Sequence, residues 1–423
     1  MPPCPDAPGD ADRHVPRTTR QLLTDHTFGP WFWGLLVSNS GNWLFNVTAA
    51  VVVFELTGSA LQVGLVSIAQ FLPLVLVSPF AGALSDRVDR RKLLLVSVLV
   101  SAAAATALAV AALAVGLEAF GGAWPVITAA AGVGIGQAVA IPSLTALVPD
   151  LVEDVDLESG IALTSLTFNV GRALGPAASG VVLATFGAEV AFAVNAASFL
   201  ALIVALLVIR IRERAAVATT ADRSVRAGIR YVRADRVVLL LLVAVGATGF
   251  AADPMITLAP PLAAEVGGGG TLVAILVSAF GIAAAPASIV SGRLQRRLGS
   301  LTVGGIGTGA MAAGLTAAAV APVAAAMVVG FALTGAGFVL ALTGFTSVLQ
   351  RRIPDELRGR IMALWSVAFL GNRPFAAALD GAAADLVGVR WAMSIAIAVA
   401  LGGVVVARIL QRRQAHLVGD ASP

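Results

Sequence analysis

The sequence predicts an all-α integral membrane protein with twelve transmembrane helices in two six-helix bundles. Three observations lead to this prediction. Hydrophobic residues make up 58% of the 423 positions and charged residues only 12%, whereas about 25% of residues are charged in soluble domains. Long apolar runs recur along the chain, and a spanning helix needs about 20 such residues. The basic residues lie in clusters between these runs. A soluble enzyme cannot bury this much apolar surface.

The apolar runs give the order of the elements. They lie at 31–55, 61–84, 92–117, 122–148, 160–185, 189–209, 237–262, 271–294, 300–321, 324–349, 361–385 and 388–409. The predicted organisation is a disordered tail (1–30), a first bundle (31–209), an Arg-rich linker (210–236), a second bundle (237–409) and a tail (410–423). Within the linker, residues 224–236 alternate apolar residues and arginines at helical spacing, which predicts an amphipathic helix on the membrane surface.

The distribution of Lys and Arg predicts the orientation. Of the 28 basic residues, all but Arg172, Arg373 and Arg390 lie in the tails or in connections on the same side as the tails. Cytoplasmic loops carry such an excess. We therefore expect both termini and the linker to be cytoplasmic, in the plasma membrane of the cell.

Several other functions are not expected. Cys4 is the only cysteine, and the three histidines lie in the polar tails, so that we expect no metal site and no bound cofactor. No nucleophile, base and orienting group stand at a recognisable spacing, and we expect no enzymatic activity. The basic clusters are dispersed between apolar runs and do not predict nucleic-acid binding. We expect a monomer in contact with membrane lipid and a small-molecule substrate.

Four motifs stand at the ends of the runs or within them. They are Gly58-Ser59-Ala60, residues 82–92 (GALSDRVDRRK), Gly171 to Pro176 with Gly180, and residues 350–361 (QRRIPDELRGRI). With these motifs the chain resembles the major facilitator superfamily over residues 31–409. Within it, the chain is similar to the drug and siderophore exporters, which include enterobactin and macrolide exporters.

The resemblance implies roles for the motif residues. A gating motif would comprise Gly82, Asp86, Arg87, Arg90 and Arg91, whose carboxylate contacts the start of the eleventh span and locks the cytoplasmic side. The alternative is that this cluster only fixes topology. An exporter-type helix motif would comprise Gly171, Gly175, Pro176 and Gly180; the alternative is packing of small residues. The corresponding loop of the second half contributes Gln350, Pro354, Asp355, Arg358, Gly359 and Arg360.

Polar residues inside the runs are candidates for the lining of a cavity, because they are costly in lipid. Asn39, Asn42 and Asn46 recur at three and four residues and form one stripe of a helix. Four further candidates are Gln70, Gln137, Asn169 and Asn195. The alternative for these residues is hydrogen bonding between helices.

Charged residues inside the runs are candidates for recognition and coupling. Arg172 and Arg373 lie about 18 Å from the cytoplasmic ends of their runs, which favours recognition of an anionic or polar group. Alternatively, each is neutralised within its own bundle. Asp253 lies about 24 Å deep, before Pro254, and is the candidate proton carrier. Asp380 is its rival, although we expect water to reach it near the outer end of its run. A structural salt bridge is the alternative for Asp253.

Together these features predict a secondary transporter that works by alternating access between the halves. By resemblance, it exports a small organic compound such as an antibiotic or siderophore, with the proton as coupling ion. Two alternatives stay open: a transporter of a phospholipid or endogenous metabolite, and a receptor or assembly partner on the same scaffold.

Overall fold

The computed structural model is built from helices over the whole part of the chain that it describes. It describes residues 17–85, 88–209, 225–354 and 357–419, without the side chains of 78–85, 145, 225–227 and 414–419. The helices are α1 (Thr19–Thr24), α2 (Phe28–Thr57), α3 (Ala60–Ser85), α4 (Arg90–Val115), α5 (Trp124–Leu151), α6 (Leu157–Val208), α7 (Val225–Ala234), α8 (Arg236–Ala251), α9 (Pro254–Thr257), α10 (Ala259–Glu265), α11 (Gly270–Leu298), α12 (Ser300–Val320), α13 (Ala324–Arg352), α14 (Arg358–Leu370), α15 (Arg373–Val387) and α16 (Val389–Gly419). Two single 3₁₀ turns cover Glu118–Phe120 and Asp154–Asp156.

Among the described residues, nine helical stretches are long and apolar enough to cross a membrane. One of them, Asp154–Val208, contains two predicted spans, because α6 is kinked at Gly187, whose φ is +84°. The two remaining predicted spans are α2 and the pair α14–α15, which do not meet the same criterion. The all-helical membrane fold is thus confirmed. The number of spans is twelve when α6 is counted as two spans and when α2 and the pair α14–α15 are included.

The helices pack in two groups that follow the chain. In the first half, α2 packs on α6, and α5 packs on α3 and α4. In the second half, α13 packs on α11 and α12, and α16 packs on α8 and α12. Contacts between the halves are made chiefly by α3 with α15 and by α6 with α11. The domain boundaries stay a prediction.

Helix ends fall on two sides of the bundle. The terminal side is the side of α1, of the start of α8 and of the end of α13. The distal side is the side of Gly58, Gly187 and Gly388. Each of these three glycines has a positive φ at the turn between two helices, a conformation that glycine adopts without steric cost.

The structure corrects the predicted tails. Residues 19–24 form α1 instead of belonging to a disordered tail, because Thr18 caps the helix in a capping box with Gln21. Arg17 binds Asp156, with its backbone N–H at 2.8 Å from Oδ1 and a side-chain ion pair to Oδ2. At the other end, α16 continues to Gly419, well beyond the predicted end at residue 409.

Two spans of the second half are interrupted at prolines. The seventh span changes from α8 to α9 at Asp253, and Pro254 then opens α9. The eleventh changes from α14 to α15 at Gly371 and Asn372, and Pro374 lies in the first turn of α15. Proline removes a backbone donor and clashes with the preceding turn, so that it breaks a helix.

Candidate functional site

Arg172 lies between aromatic rings at the interface of the two halves. Its guanidinium carbon is 4.4 Å from the centroid of the Phe338 ring, 4.6 Å from that of Phe280 and 5.1 Å from that of Trp43. Trp43 and Arg172 belong to the first half, and the two phenylalanines belong to the second. These rings hold the cation by cation–π attraction. No described residue offers it an ion pair or a hydrogen bond within bonding distance.

Arg373 lies nearby and has an acidic partner. Its Nε atom is 3.8 Å from Oδ1 of Asp253, and its guanidinium carbon is 4.1 Å from the centroid of the Phe71 ring. The other carboxylate oxygen of Asp253 accepts a hydrogen bond of 2.7 Å from the hydroxyl of Thr257. Asp253 is 1% exposed. The pair therefore neutralises both charges within the second half.

Close helix crossings place the two arginines. A Cβ atom added to Gly249 of α8 would lie 2.6 Å from the carbonyl oxygen of Phe369 on α14, so that these backbones meet only because glycine lacks a side chain. Asn372 also donates a hydrogen bond to the Gly246 carbonyl, which ties the break of the eleventh span to α8. Gly171 has the same role in the first half, where its added Cβ would lie 2.9 Å from Cβ of Asn39.

The arginines line two small adjoining cavities. One has a volume of about 40 Å³ and contains both guanidinium groups between aromatic and aliphatic side chains, Phe168 among them. The other has a volume of about 10 Å³ and is lined by Asn46, Gln70, Phe71 and Arg373. A larger apolar groove of about 850 Å³ runs between α6 and α11, past Gly180, and has no charged side chain in its lining. Of these three cavities, the two small ones have charged side chains in their lining; a further cavity of about 400 Å³ on the distal side is lined by Glu265 and Asp385.

The burial of Asp380 differs from the sequence prediction. We expected water to reach this carboxylate near the outer end of its span, but it is 0% exposed on α15. Neither of its oxygens has a hydrogen-bond partner among the residues that the structure describes. Asp380 follows Arg373 by seven residues on α15, and this helix packs on α9, which begins next to Asp253. The burial arises because α15 packs closely on α3, and Gly381 meets the backbone of Ala60.

The remaining polar candidates lie in different surroundings. Asn39 donates a 3.0 Å hydrogen bond to Thr167, which joins α2 to α6. Asn169 is exposed and donates to the Ser165 carbonyl one turn before it. Three more candidates are Asn195, which is fully buried with its side-chain amide unpaired, Asn42, whose Oδ1 is unpaired, and Gln137, which is partly buried. Of the polar candidates, only Asn46 and Gln70 line the cavities at the arginines.

The motif residues on the terminal side are described only in part. Asp86, Arg87 and Asp355 lie outside the described residues, and Gly82 lies in the last turn of α3. Arg90 contacts Asp150 at 3.4 Å, and Arg91 donates to the carbonyls of Leu206 and Leu207. Gln350, Pro354, Arg358 and Gly359 are exposed, and Arg360 is partly buried. These contacts of Arg90 and Arg91 stay within the first half.

The exporter-type helix motif lies between its neighbours on α6. Gly171 and Gly175 face α2, where Gly175 meets the backbone at Ser40 and Leu44. Gly180 faces α11, and its added Cβ would lie 2.7 Å from Cβ of Ala274. Pro176 is buried inside the helix. The motif therefore lets α6 pack closely on α2 of its own half and on α11 of the second half.

On the distal side, an acidic residue that the sequence analysis missed joins the halves. Asp385, near the end of α15, accepts hydrogen bonds from the Ser59 hydroxyl at 2.6 Å, the Ala60 N–H at 2.8 Å and the Leu61 N–H at 3.2 Å. The carboxylate thus caps the N-terminus of α3 from the other half. An acid at the end of one apolar run and Ser at the start of another were the only signals in the sequence.

Two halves of membrane-spanning helices that enclose charged residues near mid-depth define a secondary transporter of the major facilitator class. A family model described as transmembrane secretion effector matches residues 21–418. The chain belongs to this family, and the resemblance to the drug and siderophore group of the superfamily is confirmed.

Individual proteins agree with this assignment. The chain is 25% identical to the multidrug efflux pump Tap of Mycolicibacterium fortuitum, over 90% of this chain and 95% of that protein. It is 30% identical to the staphyloferrin A transporter of Staphylococcus aureus, over only 37% of this chain and 38% of that protein. A solved structure of a bacterial homologue of the iron transporter ferroportin, in the inward-facing state, matches with a TM-score of 0.71 at 16% identity. The match covers 93% of this chain and 99% of that one. The protein is therefore a multi-pass membrane transporter.

Proposed function

We propose that the protein exports a small organic compound from the bacterial cytoplasm, driven by the entry of protons. The observation that supports this proposal best is the group formed by Arg373, Asp253 and Asp380 inside the membrane-spanning region. Such residues are rare within spans, and they mark substrate paths and proton relays. Relatives described as efflux pumps support the direction of transport.

In this proposal the terminal side faces the cytoplasm of a bacterial cell, since the basic residues of the chain concentrate there. Arg390 is the one basic residue in the predicted distal loops. It pairs with Glu265 and donates to the carbonyls of Ala319 and Ala321. The structure then corresponds to a state with a closed outer side, because Asp385 joins the halves there.

Alternating access requires the contacts between the halves to change sides. On the distal side, α3 meets α15 through Gly64, whose added Cβ would overlap the backbone of Ala377. Likewise, α11 meets α6 at Gly281, whose added Cβ would lie 2.8 Å from the carbonyl oxygen of Arg172. Both contacts depend on small residues, and they have to separate when the outer side opens.

Proton coupling follows from the two buried carboxylates. Asp253 has a cation and a hydroxyl donor as partners, whereas Asp380 has no hydrogen-bond partner. A charged carboxylate without a partner is very unfavourable in a dry site, so that Asp380 is stable there only with a proton. Opening of the outer side would separate α15 from α3 and hydrate Asp380. In the proposed cycle, Asp253 binds and releases the coupling proton, and Asp380 is the second candidate.

The test uses inside-out membrane vesicles with a pH gradient, which is followed by the fluorescence of a pH-sensitive acridine dye. We expect staphyloferrin A, the compound named for one relative, to dissipate the gradient when the wild-type protein is present. Asp253→Asn should abolish this dissipation. Glu118→Gln, which removes an exposed acid on the distal side, should leave it intact.

The variant Asp380→Asn shows which of the two candidates, Asp253 or Asp380, carries the coupling proton. If Asp380 keeps its proton throughout the cycle, this variant dissipates the gradient like the wild type; if it carries the coupling proton, the activity is lost. Normal dissipation in both Asp253→Asn and Asp380→Asn would contradict the proposed proton coupling.

A further inference from the structure

We infer that the cargo is an organic anion, which binds through a carboxylate or a similar small anionic group to Arg172 and through an apolar body to the aromatic rings around it. This inference rests on the proposed function and names the class of its substrate. The observation behind it is the difference between the two partly buried arginines.

Arg373 is neutralised and Arg172 is not. Asp253 stands 3.8 Å from Arg373 and belongs to the same half. The nearest features around Arg172 are the rings of Trp43, Phe280 and Phe338. Within the described part of the chain, no carboxylate or carbonyl pairs with its guanidinium. Arg373, which lines the same cavity, is also a cation.

Aromatic rings attract the cation but leave its donors unused. A guanidinium carries five N–H groups in a planar fork that matches a carboxylate in two parallel hydrogen bonds. Ring faces cannot replace such acceptors. Burying a charge without a partner is costly, and an anion that enters the cavity would supply the missing partner.

The size of the cavity limits which part of the cargo enters it. A volume of about 40 Å³ accommodates a few water molecules, which suits a carboxylate and excludes a whole organic molecule. The rest of the cargo has to lie against the neighbouring rings. Phe168, which lines the same cavity, is 48% exposed and offers such a surface. The site therefore favours an anionic head joined to a flat apolar body.

The electrostatic surroundings disfavour the opposite charge. A cationic cargo would meet two guanidinium groups, and the one acid beside them is already paired with Arg373. An uncharged cargo offers at most neutral acceptors, whose hydrogen bonds are weaker than those of a carboxylate and leave the positive charge of Arg172 unbalanced. Recognition by Arg172 also leaves the pair Asp253–Arg373 intact, so that binding and coupling use different residues.

The experiment compares matched probes on the purified protein in lipid nanodiscs, without any gradient. Anthracene-9-carboxylate and the uncharged anthracene-9-carboxamide differ only in the anionic group, and their binding is followed by fluorescence anisotropy, with empty nanodiscs as background. We expect the wild type to bind the carboxylate at least tenfold more tightly than the amide. In Arg172→Gln this preference should vanish, with affinity for the amide unchanged.

Two further variants serve as controls. Arg293→Gln removes an exposed arginine outside the cavities and should keep the full preference. Arg172→Lys keeps the charge without the fork, and should keep part of the preference if Arg172→Gln fails to fold. Equal binding of the two probes, binding of neither, or a preference that survives Arg172→Gln would overturn the inference.

The two experiments can fail independently, so that failure of the anion site is distinguishable from failure of proton-driven export. Probe selectivity without gradient-driven transport would refute proton-driven export and leave the anion site standing. Gradient-driven transport that is limited to cationic or uncharged compounds would refute the anion site and leave export standing.

Discussion

Asp385 provides a test of how the distal side closes. The carboxylate accepts three hydrogen bonds from the first residues of α3, and these bonds join the two halves. Replacing a capping Asp by Ala costs about 0.5–2 kcal/mol, and loss of a negative charge at a helix N-terminus costs about 0.3–1 kcal/mol. Because Asp385 is exposed, solvent screens part of both effects. We therefore expect Asp385→Ala to destabilise the closed state by about 1–2 kcal/mol, which is roughly a 5- to 30-fold change in the ratio of states.

The assay measures distances between spin labels at Glu118 and Val323, which lie on the distal side in different halves, in a Cys4→Ser background. Asp385→Ala should increase the ratio of long to short label distances, which reports the ratio of open to closed states, by roughly 5- to 30-fold. Glu158→Gln, which removes an exposed acid on the terminal side, should leave the distribution as it is in the wild type. An unchanged distribution in Asp385→Ala would show that the contact does not hold the distal side closed.

Three further predictions concern topology, packing and pH. Cysteines introduced at Gly269 and Gly359, where an added Cβ meets no atom within 4 Å, should differ in intact cells: an impermeant thiol reagent should label residue 269 and not 359, and the reverse pattern would overturn the orientation. Gly281→Leu should wedge α11 away from α6 and favour the state with an open distal side, at a cost to the closed state of about 1–3 kcal/mol; the same spin labels report it, and an unchanged distribution would count against close packing as the seal. Burial disfavours the charged form of Asp235, but hydrogen bonds from Arg352 and from two backbone N–H groups outweigh this, so that the pKa of Asp235 lies below its usual value of 3.8. Its stabilising contribution is therefore present above about pH 4 and is lost as the pH falls through the lowered pKa; the thermal midpoint of Asp235→Asn should vary less with pH in that range than that of the wild type, and equal slopes would contradict this.

The sequence was sufficient to predict the helices because lipid demands long apolar runs. The predicted run 300–321 matches α12 almost residue for residue. Depth could also be predicted, since each helical residue adds about 1.5 Å, and counting places Arg172 and Arg373 at the same level. The structure brings both to one cavity.

The partners of these residues could not be predicted in the same way. Phe280 and Phe338 are as apolar as their neighbours, so that hydropathy does not show which aromatic residues face a cation and which face lipid. The exposure of Asp380 was wrongly predicted. Its distance from the helix end follows from the sequence, but the packing of α15 on α3, which buries it, does not. The ends of α1 and α16 were missed because the prediction followed apolar length, whereas α1 begins at a polar cap and α16 extends past its last apolar stretch.

The breaks in the seventh and eleventh spans give the two halves unequal stiffness. In the first half, α2 runs from Phe28 to Thr57 without interruption, and α6 is helical past Arg172 as far as its kink at Gly187. In the second half, Asp253 and Arg373 each stand at a break, and Asn372 ties the break of the eleventh span to α8 through the Gly246 carbonyl. Backbone at such points bends more easily than within a continuous helix. In the proposed cycle, Arg172 would move with the continuous helical turns around it, whereas the ion pair of the second half lies at two helix breaks, so that a change in the protonation of Asp253 would act where the backbone is interrupted.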